Sequence, residues 1–371
     1  MVYVRAMMAA LAFWSAAGAQ EDPERILQQA IQLHQAGDAE KAIPQYRAYL
    51  KVRPDAVDAR SNLGAALART GRYQEAIAEY REALKRRPGD PRIRMNLGLA
   101  RYKLGQIPEA AAEFSGLHQA QPGDSQITLL LADCWLRQGL DRKVIELLEP
   151  VEKQNPEDLA VAYLLGSALL RDQQILRGQQ FIDRILRNGD SAAARLLLGT
   201  AKLEAKDAEG AIADLEKAAE LDPQLAEVHS YLGRAHTATG DTASARLDFQ
   251  KELALNPNDF ESGLNLGALL KQDQDYEGAR GLLERALRVR PGDLRARYQL
   301  AAMNLEAGKP DQARAELEAI VKQAPQFVEA HISLAAAYYR LERRTDGDRE
   351  KELARKLTAE QQARQYRERP D

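Results

Sequence analysis

Prolines stand at 54, 88, 122 and 156, and again at 223, 257, 291 and 325, so one spacing of 34 residues runs through most of the chain. A fixed period of that length commits a chain to stacked supersecondary units, because each unit buries its apolar face only against its neighbours. The unit is clearest from Val57 to Asp90. Leu63 and Leu67 fall four apart on one face of a predicted helix, with Gly64 and Ala66 beside them where a second helix can approach. Gly71 supplies a left-handed stop. Tyr73, Ala76, Ile77, Tyr80, Ala83 and Leu84 then recur at three- and four-residue steps, which predicts a second amphipathic helix with Ala76 and Ala83 turned toward the first. Pro88 and Gly89 end it. Asp90 is placed to accept N–H groups at the start of the next helix, as are Asp124, Asp158, Asp259 and Asp293.

Leu63-Gly64, Gly71, Tyr73, Ala76, Tyr80, Ala83 and Pro88 resemble the tetratricopeptide repeat pattern. The pattern returns as Leu97-Gly98 with Gly105, Ala110 and Phe114, as Leu232-Gly233 with Gly240, Ala245 and Phe249, and as Leu266-Gly267 with Tyr276, Ala279 and Ala286. It covers about Pro23 to Leu341. The resemblance implies an all-α fold, a right-handed superhelical solenoid of antiparallel helix pairs, with a concave groove lined by the first helix of each pair. It implies protein binding and no chemistry.

The chain opens with MVYVRAMMAALAFWSAAGAQ: one charge at Arg5, an apolar run to Ala17, and Ala17 and Ala19 spaced for cleavage before Gln20. That layout predicts a signal peptide over 1–19, since the run is shorter than the ~20 residues of a membrane-spanning helix. With the repeats, it makes the chain similar to exported bacterial repeat proteins and places it in the periplasm or outside the cell. Five repeats are expected over 20–190 and four and a half over 191–345, followed by a charged capping helix and tail over 346–371. The first repeat is degenerate, as a solvent-facing end should be. The unit Leu159–Ser191 keeps Leu165-Gly166 but has Gln173 for the turn glycine, Gly178 for the small alanine, and Asp190 for the proline. Its Asn188-Gly189-Asp190 predicts a bend. Past Glu342 only Leu353 and Leu357 are spaced large apolar anchors, which predicts a solvated helix with a fraying end.

A formal charge of -3 argues against general attraction to nucleic acid or anionic lipid. The single Cys134 sits in an apolar helix and predicts an inert buried thiol. No strand pattern occurs, and no residues remain for a catalytic domain. His229 and His236 lie seven apart without a third ligand at close spacing, and His229 shares a repeat position with His331, so packing is expected and a metal is not. No Gly-X-Ser-X-Gly elbow or phosphate loop is present, and nothing pairs an acid with a base, so neither catalysis nor a cofactor is expected.

The first helices carry the candidate site. At their thirteenth position stand Arg69, Lys103, Arg137 and Arg171, a basic ladder that ends where Glu204 follows. Beside it Met95, Leu99, Tyr102, Leu136, Tyr163 and Leu170 are expected to face the groove. A basic row interleaved with apolar positions suits an extended or helical acidic peptide. The competing reading is that these cations favour helix ends through the dipole. A second functional reading is an adaptor subunit of an envelope or secretion complex, bound through its convex face. The carboxylate clamp known from some tetratricopeptide cochaperones is absent, because Asn62, Asn96 and Asn265 lack the Lys/Asn partners on the preceding helix.

Overall fold

A computed structural model describes residues 22–367, with side chains described to 363. The leader expected over 1–19 and the last residues of the tail lie outside the described residues. Among those described there are twenty α-helices and no strand. The chain divides into two compact units at 127/128, within the first turn of α7 (Ser125–Arg137). Unit 1 holds α1 (Pro23–Gln35), α2 (Ala39–Val52), α3 (Val57–Arg69), α4 (Tyr73–Arg86), α5 (Pro91–Lys103) and α6 (Ile107–Ala120). Unit 2 continues through α8 (Asp141–Gln154), α9 (Leu159–Arg171), α10 (Ile175–Arg187), α11 (Ala192–Glu204), α12 (Ala208–Leu221) and α13 (Val228–Thr239). It ends with α14 (Thr242–Leu255), α15 (Phe260–Gln272), α16 (Tyr276–Val289), α17 (Leu294–Glu306), α18 (Pro310–Gln323), α19 (Val328–Arg340) and α20 (Arg344–Arg367). Helices pair antiparallel in sequence order, as the period predicts. First helices also touch the next first helix, α1 with α3 and α3 with α5 in unit 1, and α9 through α19 in unit 2, so within each unit they share a face.

Local chemistry sets these boundaries. Asp90, Asp158 and Asp293 each accept two N–H groups of the following helix, and Asp124 and Asp259 accept from Ile127 and Ser262. Each thereby satisfies donors that a helix start leaves unpaired. Every first helix stops at a residue with positive φ. Gly71, Gly105 and Gly308 supply it at +76°, +77° and +71°, but Gln173 (+62°), Lys206 (+66°) and Gln274 (+65°) are forced into the same conformation. The turn dictates the backbone, whatever the residue. At the predicted bend Asn188 caps α10, Gly189 has φ +117°, and Asp190 pairs with Arg195 at 2.6 Å in place of a proline stop.

Pairs are closed by contact between small and large residues. A β-carbon built on Gly98 would stand 2.7 Å from Phe114, and one on Gly233 would stand 2.5 Å from Phe249. A polar tie recurs alongside, between residues separated by nineteen: Arg60–Glu79 (2.8 Å), Arg195–Asp214 (2.8 Å) and Arg297–Glu316 (2.5 Å). His229–Asp248 (3.0 Å) and His331–Glu350 (2.6 Å) occupy the same places, so both histidines hold helix pairs together as their shared repeat position predicts. Of the two anchors expected on α20, only Leu357 docks. Leu353 is 37% exposed, and the small Ala354 completes a cluster with Leu357 and Val328.

Candidate functional site

Unit 1 keeps its expected site residues near the surface. Arg69 ends α3 and Lys103 ends α5, both exposed, while Met95, Leu99 and Tyr102 on α5 are half-buried. A cleft of about 480 Å³ opens beside Met95, lined also by Arg92, Leu117 and Ile127. Arg69 reaches back with a long hydrogen bond of 3.4 Å to the carbonyl of His34 at the end of α1.

Unit 2 departs from expectation. Leu136 and Leu170, expected to face the groove, are 2% and 0% exposed. Each follows by four residues the small residue that meets the second helix, Ala132 and Gly166, so each shares that inward face. Leu170 fills the space over Gly178, where a β-carbon would stand 2.6 Å from its side chain. Tyr163 is half-buried and packs against two core clusters, and its burial pushes the phenol above its ordinary ionisation range. Burial likewise pushes the Cys134 thiol up, in line with an inert side chain.

Arg137 and Arg171 are brought together around an enclosed polar cavity of about 50 Å³, with Arg234, Arg290, Glu227 and Glu261 on its walls. At about 10–15 Å³ per water it has room for about three to five waters and none for a peptide backbone. Its cations are already engaged. Arg171 pairs with Asp141 at 3.2 Å and donates to the Leu136 carbonyl at 2.9 Å, Arg137 pairs with Asp133 at 3.0 Å, and Arg234 with Glu204 at 3.1 Å. Arg290 joins Glu261 at 2.7 Å. Burial opposes ionisation of Glu261, yet Arg290, Arg295 and Arg234 outweigh it and hold the carboxyl below its ordinary value. At Glu227 burial outweighs the nearby Arg171 and Arg137 and raises the carboxyl above its ordinary value.

The ladder's local role is visible at the helix ends. Arg69, Arg171 and Arg340 each donate to the last turn of the preceding first helix, at the carbonyls of His34, Leu136 and Leu305, all 35 residues back. Cations there satisfy orphan carbonyls and favour the dipole. Arg234 and Glu261 lie on the first helices α13 and α15, beyond the basic ladder, and Arg290 caps the second helix α16, so the ladder alone does not point to them. The tie of nineteen was legible as a recurring cation and carboxylate.

Among the described residues no group of three or more His, Cys, Asp or Glu could hold a metal ion, and no helix is long and apolar enough to cross a membrane. Helix pairs repeated in sequence order define a helical-repeat protein. The chain belongs to the tetratricopeptide repeat family: two of its profiles match, one over 27–91, 179–226 and 196–260, the other over 67–134, 101–167 and 270–338. Repeats of this family mediate protein–protein interaction, and its members are typically non-enzymatic scaffolds. No curated protein sequence matches the chain. Similar solved structures include the anaphase-promoting complex hetero-tetramer Cut9-Hcn1, at TM-score 0.55 and 12% identity over 91% of this chain and 88% of that one. A human IFIT1 dimer aligns at 0.49 and 15% over 89% of each chain, and MamA at 0.39 and 23% over 45% of this chain and 97% of its own. At these identities the likeness is one of fold alone.

Proposed function

We propose that the chain is an exported, non-enzymatic scaffold whose unit 1 first-helix face receives an extended or helical acidic segment of a partner protein. The observation that supports this is the occurrence, on neighbouring first helices, of exposed Arg69 and Lys103 with the half-buried Met95, Leu99 and Tyr102, of which Met95 lines an open cleft. The enclosed unit 2 cavity has no such access. Exposed ion pairs give about 0.2–1 kcal/mol each, so the apolar contacts must supply much of the affinity and the cations chiefly the on-rate.

The test is fluorescence anisotropy with a labelled helical Leu/Glu peptide and its Leu/Lys counterpart, at low and high salt. Only the acidic peptide should bind, and Arg69→Glu with Lys103→Glu should weaken it about two- to thirtyfold. Equal binding of the basic peptide, or no effect of the double reversal, would overturn the reading. Loss of a native partner on Leu247→Asp, at a 58% exposed side chain of α14, would favour the convex-face adaptor instead. Export is checked by the intact mass of the chain recovered from its native host: a mature form starting at Gln20 is expected, and an uncleaved cytosolic chain contradicts it.

A further inference from the structure

The tie between residues nineteen apart joins the two helices of a pair, and where its cation is arginine it is charged at every physiological pH. At the last joint His331, 3% exposed on α19, stands in the arginine's place. Its Nδ1 faces Glu350 Oε2 of α20 at 2.6 Å and its Nε2 faces the Pro325 carbonyl at 3.1 Å. A neutral imidazole carries one N–H, so in either tautomer one of these acceptors would meet a lone pair. Only the imidazolium donates to both, and its bond to Glu350 is then charge-assisted. We propose that His331 is a proton-operated fastener of the C-terminal helix: α20 is held on α19 when the ring carries both protons and loosens when one is lost.

Around this bond α20 rests on α19 through the buried cluster of Ala354 and Leu357 with Val328, and through Gly347, where a β-carbon would stand 2.7 Å from the Tyr339 ring. The other charged and titratable groups at the joint have their own partners. From α18, Glu318 accepts from Tyr338 at 2.8 Å, and Arg343 lies 4.5 Å over the Tyr338 ring while pairing with Asp346 at 2.6 Å. From α20, Asp348 accepts from Tyr339 at 2.8 Å. Arg340 of α19 reaches the Leu305 carbonyl of α17. Burial and the bond to Glu318 push Tyr338 up to about 12, far from the range in which histidines exchange a proton, about pH 5 to 8. In the preceding pair the equivalent tie is Arg297–Glu316, a permanent cation that does not switch.

The experiment is hydrogen exchange of the full chain, read over residues 344–363 and corrected for the intrinsic pH dependence, together with the ¹⁵N signals of the His331 ring. In the wild type, protection of α20 should fall about tenfold or more between pH 6 and pH 8, the scale expected for loss of one charge-assisted hydrogen bond. His331→Arg should keep α20 protected at both values, as Arg297 does for its own pair. Both ring nitrogens should carry protons at pH 6. Protection that does not change with pH in the wild type, a pH dependence that survives in His331→Arg, or a singly protonated ring at pH 6 each overturns the proposal.

Discussion

The ring of Tyr80 on α4 occupies the space a β-carbon on Gly64 of α3 would need: built there, that carbon would stand 2.6 Å from Cε1. Tyr80 is 1% exposed, so it has nowhere to retreat. Gly64→Ala should therefore destabilise the fold by about 1–3 kcal/mol, the usual cost of overpacking, despite alanine's better helix propensity. Gly89→Ala, at a glycine with nothing within 4 Å, is the control and should change little. Urea midpoints of the two variants check this, and an unchanged midpoint for Gly64→Ala would contradict the packing argument.

The left-handed turn gives a prediction of opposite sign. Gln274 holds φ +65° where Gly71 and Gly308 hold the same conformation without a side chain. A side chain there is strained and glycine is not, so Gln274→Gly should stabilise the chain by about 0.5–1 kcal/mol, less the extra entropy of glycine in the unfolded state. Thermal unfolding measures it. A loss of stability would mean that Gln274 makes compensating contacts.

The period, the helix pairs and their caps were readable because each rests on local chemistry: Asp90 caps, Gly71 stops, and Leu63 and Tyr80 keep helical spacing. The candidate site was less readable because facing is decided between helices. Leu136 looks outward on a helical wheel drawn for one helix, but four residues beyond Ala132 it turns onto the second helix of its pair and is buried. Arg171 was visible as a cation, whereas its use, at the Leu136 carbonyl 35 residues away, depends on how one repeat is laid on the next.

Glu252 makes stability depend on pH in a defined direction. It is 0% exposed, with Oε1 accepting from the Glu227 N–H at 2.9 Å. Burial, with the nearby Asp259 and Glu227 carboxylates, raises it to about 7. An unfolded glutamate ionises near ~4.3, so between that value and 7 the fold keeps a proton that the unfolded chain gives up. This contribution is whole below about pH 4.3 and is lost as pH rises through 7. Its size is on the order of 3 kcal/mol. Glu252→Gln should be more stable than the wild type at pH 8, and the difference should shrink or reverse toward pH 5. Urea titrations of both proteins across that range decide it, and a difference that does not vary with pH would reject the assignment.

Arg290 supports the last prediction, because one guanidinium there meets four groups of unit 2. Its Nε donates to the Arg137 carbonyl at 2.8 Å and its Nη1 to Glu261 at 2.7 Å. Its plane lies 4.0 Å over the Phe260 ring, and its edge rests against Gly139, where a β-carbon would stand 3.5 Å from Cζ. Arg290→Ala would leave Glu261 with the longer contact to Arg295, 3.4 Å, in place of its close pair, a loss of about 3–5 kcal/mol. Arg290→Lys should recover only part, since a single ammonium cannot stack on Phe260 and reach both oxygens. Converting both charged partners, Arg290→Met with Glu261→Gln, should cost less than Arg290→Ala alone, because it leaves no buried carboxylate short of its cation. Hydrogen exchange gives the spatial reading: α16 and the end of α7 should lose protection in Arg290→Ala while α3 and α4 keep theirs. Equal losses in the alanine and lysine variants, or a double variant no better than the single one, would show that packing on Phe260 rather than the charge pair holds this joint.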